Sequence, residues 1–121
     1  MIDAREQVKN TLLTVCNNVK MSKPSGEPVL PLLIYSCIGD DMVDIGHDRL
    51  KWRVVVYCSS FEEVITLSKQ VDDKMHNVLG YTRRYITPDD ESQKGTNLYM
   101  KRLDYSGLVN LEVMGVIKWS T

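Results

Sequence analysis

The sequence predicts an α+β fold, a two-layer sandwich with helices on one face of a mostly antiparallel, four-stranded sheet, in the order α-β-β-α-β-β. Three observations lead to this prediction. Residues 50–58 carry apolar side chains at every second position, which is typical of a strand with one buried face. Residues 61–78 then repeat apolar side chains at helical spacing. Residues 98–119 contain two further apolar runs separated by Tyr-Ser-Gly.

The first predicted element is a helix. Asp3 and Glu6 form an Asp-x-x-Glu start. The apolar stripe that follows at helical spacing is Val8, Leu12, Val15, Cys16 and Val19. Residues 21–31 contain three prolines and predict a connecting loop. Residues 32–38, which are apolar on both sides, predict an interior first strand, and the polar residues 39–48 predict a loop before the second strand.

The second strand enters the second helix through two serines. Ser60 stands three residues before Glu63, so its hydroxyl is placed to cap the helix while the carboxylate reaches back to a free N–H. The apolar stripe continues to Val78, and Gly80 is positioned to end the helix in a left-handed turn.

The C-terminal third is less regular. Residues 81–87 have strand-like composition, but Arg83 and Arg84 break the alternation and leave this segment ambiguous. Residues 88–96 predict a mobile polar loop, residues 98–103 a third strand, residues 105–107 a tight turn and residues 108–119 a last strand. Gly115 interrupts the apolar face of that strand and predicts a bulge or a close backbone approach.

Length and charge favour one globular domain, residues 1–121. Fifteen basic and sixteen acidic residues give a formal charge of −1, so no overall field attracts nucleic acid or anionic membrane. The longest apolar run is too short to span a bilayer, and the N-terminus has no apolar signal core, so we expect an intracellular protein. Cys16, Cys37 and Cys58 form no CxxC pair, and each is expected to be a buried, reduced thiol.

No motif for catalysis or for cofactor binding is present in the sequence. Residues 40–48 hold four aspartates and His47, and carboxylates on one loop are ligands for hard cations. Their spacing matches no calcium loop, however, which favours a solvated loop or a partner contact over a metal site. His76 lies near the predicted end of the second helix, where an imidazolium interacts well with the helix dipole.

Aromatic and basic residues interleave between residues 81 and 105. Such a set is typical of proteins that bind single-stranded nucleic acid by stacking and by charge. Tyrosine and arginine are also enriched in protein–protein interfaces, and three acidic residues lie at positions 89–91. Protein contact or an ordinary solvated surface is therefore the favoured interpretation, and a small nucleic-acid-binding domain is an alternative.

Most of the chain resembles the tail terminator family of long-tailed bacteriophages, also called tail completion or tail-to-head joining proteins. The matching segments after the N-terminal helix are PLLIYSCIGDDMVD (31–44), RLKWRVVVYCSSFEEVITLSKQVDDKM (49–75) and LYMKRLDYSGLVNLEVMGVIKW (98–119). In that family a strand ending in an aromatic and a small residue is followed by a Ser/Thr-rich joint and a helix, as at Tyr57, Cys58, Ser59 and Ser60. The segment 80–97 is richer in charge than the family pattern.

The resemblance implies a structural virion protein of a phage, a prophage or a tail-like particle, located at the tail end or neck and assembled in the host bacterial cytoplasm. Family members form a homo-oligomeric ring, usually a hexamer, that caps the tail tube protein and contacts the head–tail connector or stopper protein. DNA passes through the channel without specific binding. Neither catalysis, nor a cofactor, nor a metal, nor a membrane is implied. Another neck protein, such as a head completion or stopper component, is an alternative.

Ring formation fits the predicted fold, because a small two-layer domain leaves sheet edges and one sheet face partly uncovered. Val55 and Tyr57, with Met114 and Val116, are expected to form an apolar patch, and the polar loops are expected to meet the tube, the connector or the channel. The residues expected at subunit or partner interfaces are Asp40, Asp41, Asp44, His47, Asp48, Val55, Tyr57, Arg83, Arg84, Asp89, Asp90, Glu91, Met114 and Val116.

Overall fold

A computed structural model describes residues 4–21, 29–44, 47–92, 98–110 and 115–116, with the backbone alone at 40–44, 47–48, 109–110 and 115–116. These residues form an α+β fold, as predicted, in which α1 (Ala4–Leu12) and α2 (Phe61–Asp73) pack on one face of a mixed sheet. The strands are β1 (Val19–Lys20), β2 (Leu32–Asp44), β3 (His47–Cys58), β4 (Thr82–Ile86), β5 (Tyr99–Asn110) and β6 (Gly115–Val116).

The sheet is wider than the predicted four strands. In the described residues its order is β1-β2-β3-β5-β4, and β6 pairs with β5 farther along the edge that β4 also uses. All of these pairings are antiparallel except that of β1 with β2. The predicted order α-β-β-α-β-β is therefore wrong at two points, since β1 precedes the first predicted strand and β4 follows α2.

Strand β1 was missed because Val19 continues the apolar stripe of the first helix. The helix ends at Leu12, and the chain passes through turns before Val19 pairs in parallel with Leu33. Asn17 and Asn18 lie just before β1, and asparagine competes with helical hydrogen bonding. The carbonyl of Asn18 instead accepts a hydrogen bond from the Leu33 N–H at 3.0 Å. Pairing with a distant strand thus takes precedence over the local pattern.

Residues 39–48 do not form the predicted loop. Strand β2 runs to Asp44 and β3 begins at His47, so most of this segment is a continuation of one β-hairpin. An irregularity in the register between Cys37 and Gly39 shifts the pairing by one residue and then lets it continue. Polar side chains do not prevent this extension, because the ladder is made by backbone groups that must find partners in any case.

Strand β5 also differs from the predicted elements. The sequence predicts a turn at residues 105–107, but β5 continues through them and pairs with β3 along its whole length. Tyr105 and Ser106 are buried, and Gly107 lies opposite Leu50. The long partner strand overrides the local turn tendency. Of the predicted last strand, residues 108–110 belong to β5 and residues 115–116 form β6, and the rest lies outside the described residues.

The strand-to-helix joint confirms the predicted serine cap, but the predicted return bond from the Glu63 carboxylate is not made, since Glu63 Oε1 is buried without a hydrogen-bond partner. The Ser60 hydroxyl accepts a hydrogen bond from the Glu63 N–H at 3.2 Å, and Gly80 has a φ of 82°. The helix is shorter than expected, because α2 ends at Asp73 and a π-helical turn, Lys74–Val78, follows it. In that turn His76 Nδ1 lies 3.1 Å from the Tyr81 carbonyl oxygen. Neither described helix has the length and apolar character needed to cross a membrane.

The core lies between the sheet and the two helices. It takes alternate residues of β3, namely Leu50, Trp52, Val54, Val56 and Cys58, and the neighbouring side chains Leu33, Tyr35, Leu103 and Tyr105. The helices contribute Val8, Leu12, Val64 and Val71, and the π-helical turn contributes Met75. Because side chains alternate along a strand, the remaining residues of β3 lie on the opposite face of the sheet.

Two of the three cysteines are buried as predicted, and all three are free thiols. Cys16 and Cys58 lie in the core, and burial, with the nearby Glu63 carboxylate, raises the pKa of Cys58 to about 12. Cys37 is exposed, so its predicted burial is wrong. It lies next to the irregularity in β2, where the pairing of the strand changes.

We expect one thiol per native chain to react rapidly with a thiol-specific reagent at neutral pH, because the thiolate is the reactive form and Cys37 alone is exposed. Unfolded protein should give three reactive thiols. The Cys37→Ser variant should lose the rapid phase in a spectrophotometric titration. Rapid labelling of Cys58 in that variant would contradict the buried position of this side chain.

Candidate subunit interface

One face of the sheet has no helix on it in the described part of the chain. We call it the open face, and it consists of the side chains of β2, β3, β5 and β4 that point away from α1 and α2. The register identifies them: Val55 lies between Ile34 and Arg102, and Arg53 lies between Ser36 and Asp104. The alternation along β3 therefore creates the core on one side and this surface on the other.

The open face is apolar at the end where β3 leads into α2. Leu32, Tyr57 and Met100 lie side by side on neighbouring strands, and Ile34 and Val55 form the next row. Leu32 is 2% exposed and Tyr57 9% exposed, although both lie outside the core cluster between sheet and helices. Ile34, Val55 and Met100 are half-buried and supply the accessible apolar surface.

Farther along the strands the open face becomes cationic. Four arginines, Arg49, Arg53, Arg84 and Arg102, lie on it, and we call them the arginine cluster. Arg53 donates to both carboxylate oxygens of Asp104, at 3.0 and 3.4 Å, and this bond raises the pKa of the guanidinium. Asp104 is the carboxylate described among them, and the backbone register also places Asp41 opposite Arg49.

The other two arginines of the cluster are held by neighbours on β4 and β5. Arg102 Nε lies 3.5 Å from Asp104 Oδ2, and its guanidinium carbon is 4.5 Å from the centre of the Tyr85 ring. Arg84 Nε donates to the Ser106 hydroxyl at 2.8 Å. These contacts fix guanidinium planes in place before any partner binds, which lowers the entropy cost of using them in recognition.

Arg83 and Arg84 are neighbours in sequence but lie on opposite faces of the sheet. Arg83 pairs in register with Tyr105 and Tyr85 with Asp104, so Arg84 is the extra residue of a bulge. Arg83 Nη1 lies 3.1 Å from Asp72 Oδ2 on α2. The Tyr105 hydroxyl donates to the other oxygen of Asp72 at 3.0 Å, and burial first, then that carboxylate, raises the pKa of Tyr105. Arg83 therefore stabilises the helix layer.

The predicted mobile loop at residues 88–96 begins with ordered structure. Asp89–Glu91 forms a 3₁₀ helix, and Ser92 is buried. The Lys101 ammonium, which is almost fully buried, pairs with Asp89 and attaches this helix to β5. The prediction of a mobile loop is wrong for residues 89–92, and residues 93–97 lie outside the described part of the chain.

An open groove of about 500 Å³ lies beside the 3₁₀ helix and is lined by Phe61, Asp89, Asp90 and Tyr99. We call it the acidic groove. The Phe61 and Tyr99 rings meet edge to face with centroids 6.2 Å apart, and Phe61 is 42% exposed. Tyr99 pairs in register with Cys58, whose side chain is in the core, so this groove lies on the helix side of the sheet.

The acidic residues predicted at an interface near residue 40 lie together at the far end of the hairpin. Asp40, Asp41 and Asp44 belong to β2, and His47 and Asp48 belong to β3, where Asp44 is the register partner of His47. Their side chains lie outside the described residues, as does Met114. Val116 lies in β6 opposite Val109, and again the backbone alone is described.

The structure thus divides the predicted interface residues among three places: the open face, the helix side and the end of the hairpin. It places Val55 and Tyr57 beside three residues that the sequence does not predict at an interface, Leu32, Ile34 and Met100. For Leu32 and Ile34 the sequence does contain a signal, because residues 32–38 are apolar on both sides of the strand. Such a strand places apolar side chains on both faces of the sheet.

The chemistry available on these surfaces is recognition by apolar contact and by charge. Among the described residues, His, Cys, Asp and Glu side chains form no group of three or more that could hold a metal ion. A comparison with models of protein families and a search of curated proteins both find nothing that matches the chain.

Proposed function

We propose that this protein is a ring-forming structural subunit that caps the tail tube of a long-tailed phage, prophage or tail-like particle and joins it to the head connector. The observation that supports it most is the open face: a small domain with a helix layer on one side of its sheet presents Ile34, Val55 and Met100 on the other. A surface of this kind is stabilised when a second protein covers it.

The proposed contact between neighbouring subunits joins two different surfaces. Contacts of this type repeat from copy to copy and produce a ring when the rotation between neighbours closes. The unpaired outer edge of β2 supports the same proposal, because β1 pairs only with Leu33 and Ile34 in the described residues. The acidic end of the hairpin is placed at the channel in this proposal, where like charge disfavours binding of DNA phosphates.

A second candidate function is binding of single-stranded nucleic acid on the open face. The arginine cluster and the exposed Tyr85 ring beside Arg102 favour it, since arginines and aromatic rings on a sheet are used for backbone contacts and for base stacking. Salt-dependent binding of a fluorescent oligonucleotide by the purified protein, abolished in Arg84→Glu, would support this function in place of the first.

The test of the proposed function combines the purified protein with a tail tube protein taken from the same genome. We expect the protein to form a ring of defined size, either in solution at high protein concentration, where sedimentation velocity detects it, or only at the end of the tube. We also expect electron micrographs to show tubes that stop growing once the protein is added. Tubes that grow to the same length with and without the protein, and that carry no density at their ends, would contradict the proposal.

A further inference from the structure

The two charged surfaces of this chain are complementary in chemistry and lie on opposite sides of the sheet. The arginine cluster lies on the open face, because Arg53 and Arg102 are register partners of Asp104 and Val55. The acidic groove lies on the helix side, because Tyr99 and Lys101 are register partners of Cys58 and Val56, whose side chains are in the core. The arginine cluster therefore cannot contact the acidic groove of the same chain.

The acidic groove has the composition of a guanidinium site. Asp90 offers a carboxylate, Asp89 offers one that also pairs with the Lys101 ammonium, and Phe61 and Tyr99 offer ring surfaces around the same open groove. A guanidinium binds carboxylates through two parallel hydrogen bonds and stacks on aromatic rings, so both kinds of lining residue suit the same group. Glu62 follows Phe61 in the sequence and Glu91 follows Asp90, and both are exposed and add negative charge.

We infer that the arginine cluster of one copy docks on the acidic groove of the next copy, with the accessible apolar residues of the open face packed beside it. This inference rests on the proposed ring and identifies its subunit contact. A second copy is the occupant because the chain itself carries both halves of the contact, and because one carboxylate, Asp104, is described among four arginines on the open face. Charge complementarity of this kind sets the register and speed of association.

The experiment reverses charge on one side at a time. Arg49→Glu with Arg84→Glu alters the arginine cluster but leaves the bonds of Asp104 intact. Asp90→Arg with Glu91→Arg alters the groove but leaves Asp89 on the buried Lys101. Lys9→Glu with Lys69→Glu, at exposed positions on the helices, changes net charge as much as the first pair and serves as its control.

We expect each double variant alone to self-associate at least about 100-fold more weakly than the wild type in sedimentation velocity, while the control is unchanged, since each close charge pair contributes about 1.4 kcal/mol or more. A one-to-one mixture of the two double variants should associate again, because each unlike pair of copies then meets with opposite charges. That recovery also shows that both variants are folded. Raising the salt concentration should weaken wild-type association, because added salt screens exposed charges.

Either double variant associating like the wild type, or a mixture that stays monomeric, would overturn the inference, as would a wild-type protein that never self-associates. Loss of oligonucleotide binding in Arg49→Glu with Arg84→Glu, without any change in association, would instead make the arginine cluster a nucleic-acid site. If a result that overturns the inference is obtained while the protein still caps tubes, the proposed function stands and only the contact between the arginine cluster and the acidic groove is wrong.

Discussion

Replacing Trp52 by alanine is expected to lower the free energy of unfolding by about 3–5 kcal/mol, the usual cost of truncating a large buried aromatic residue. Trp52 is 1% exposed and stands in the middle of β3. Its ring centre lies 6.4 Å from that of Tyr35 and 6.3 Å from that of Tyr81, the second pair edge to face. The substitution removes both aromatic contacts and leaves a cavity between the sheet and the helices.

Urea unfolding of dilute protein, followed by far-ultraviolet circular dichroism, measures this effect. Phe61→Ala is the matched control, because Phe61 is also aromatic but is 42% exposed, and its loss should cost about 1 kcal/mol. If the two variants lost the same stability, Trp52 would not be the centre of the core that the structure shows.

The part of the fold that could be predicted is the part in which local and tertiary forces agree. Between Leu50 and Gly80 the alternation, the Ser60 cap and the left-handed glycine all favour what the chain forms. Each signal there arises from residues close in sequence, so no knowledge of distant partners was needed. The π-helical turn that follows α2 could not be predicted from the apolar stripe, because Met75 is apolar and at helical spacing in either geometry.

The errors at β1 and β5 have one physical origin, which is pairing between strands far apart in sequence. Val19 continues the helical pattern of the sequence but pairs with β2, and Ser106 and Gly107 favour a turn but pair with β3. In both places a weak local preference, worth a fraction of a kcal/mol per residue, meets a ladder of backbone hydrogen bonds supplied by a long neighbouring strand. The sequence of one segment carries no record of that neighbour.

The candidate site shows the same division. Val55 and Tyr57 were placed on the side away from the helices by the alternation of a single strand, and the structure puts them there. The arginine cluster depends on register between residues about fifty apart, as in Arg53 with Asp104. The bulge that separates Arg83 from Arg84 could not be located from the sequence, which shows only that the alternation is broken there. The role of the arginine cluster at an interface stays a prediction.

Val55→Glu is the substitution expected to have the largest effect on assembly. Val55 is half-buried at the centre of the accessible apolar part of the open face, with Ile34 on one side and Arg102 on the other. A carboxylate there would be buried against a neighbouring copy, and burying a charge in an apolar contact is strongly unfavourable. In the isolated chain the same carboxylate can lie in water beside Arg102, so stability should fall by only about 1 kcal/mol.

We therefore expect Val55→Glu to be a folded monomer that neither forms rings nor caps tubes, as judged by light scattering coupled to gel filtration and by electron microscopy. Val78→Glu is the matched control: the same exchange at a valine that is 55% exposed on the π-helical turn, away from the open face. It should assemble like the wild type. Because both variants gain one negative charge, a difference between them reports the position of the charge and not its sign. Normal rings from Val55→Glu would show that the subunits meet through some other surface and that the open face serves a different partner.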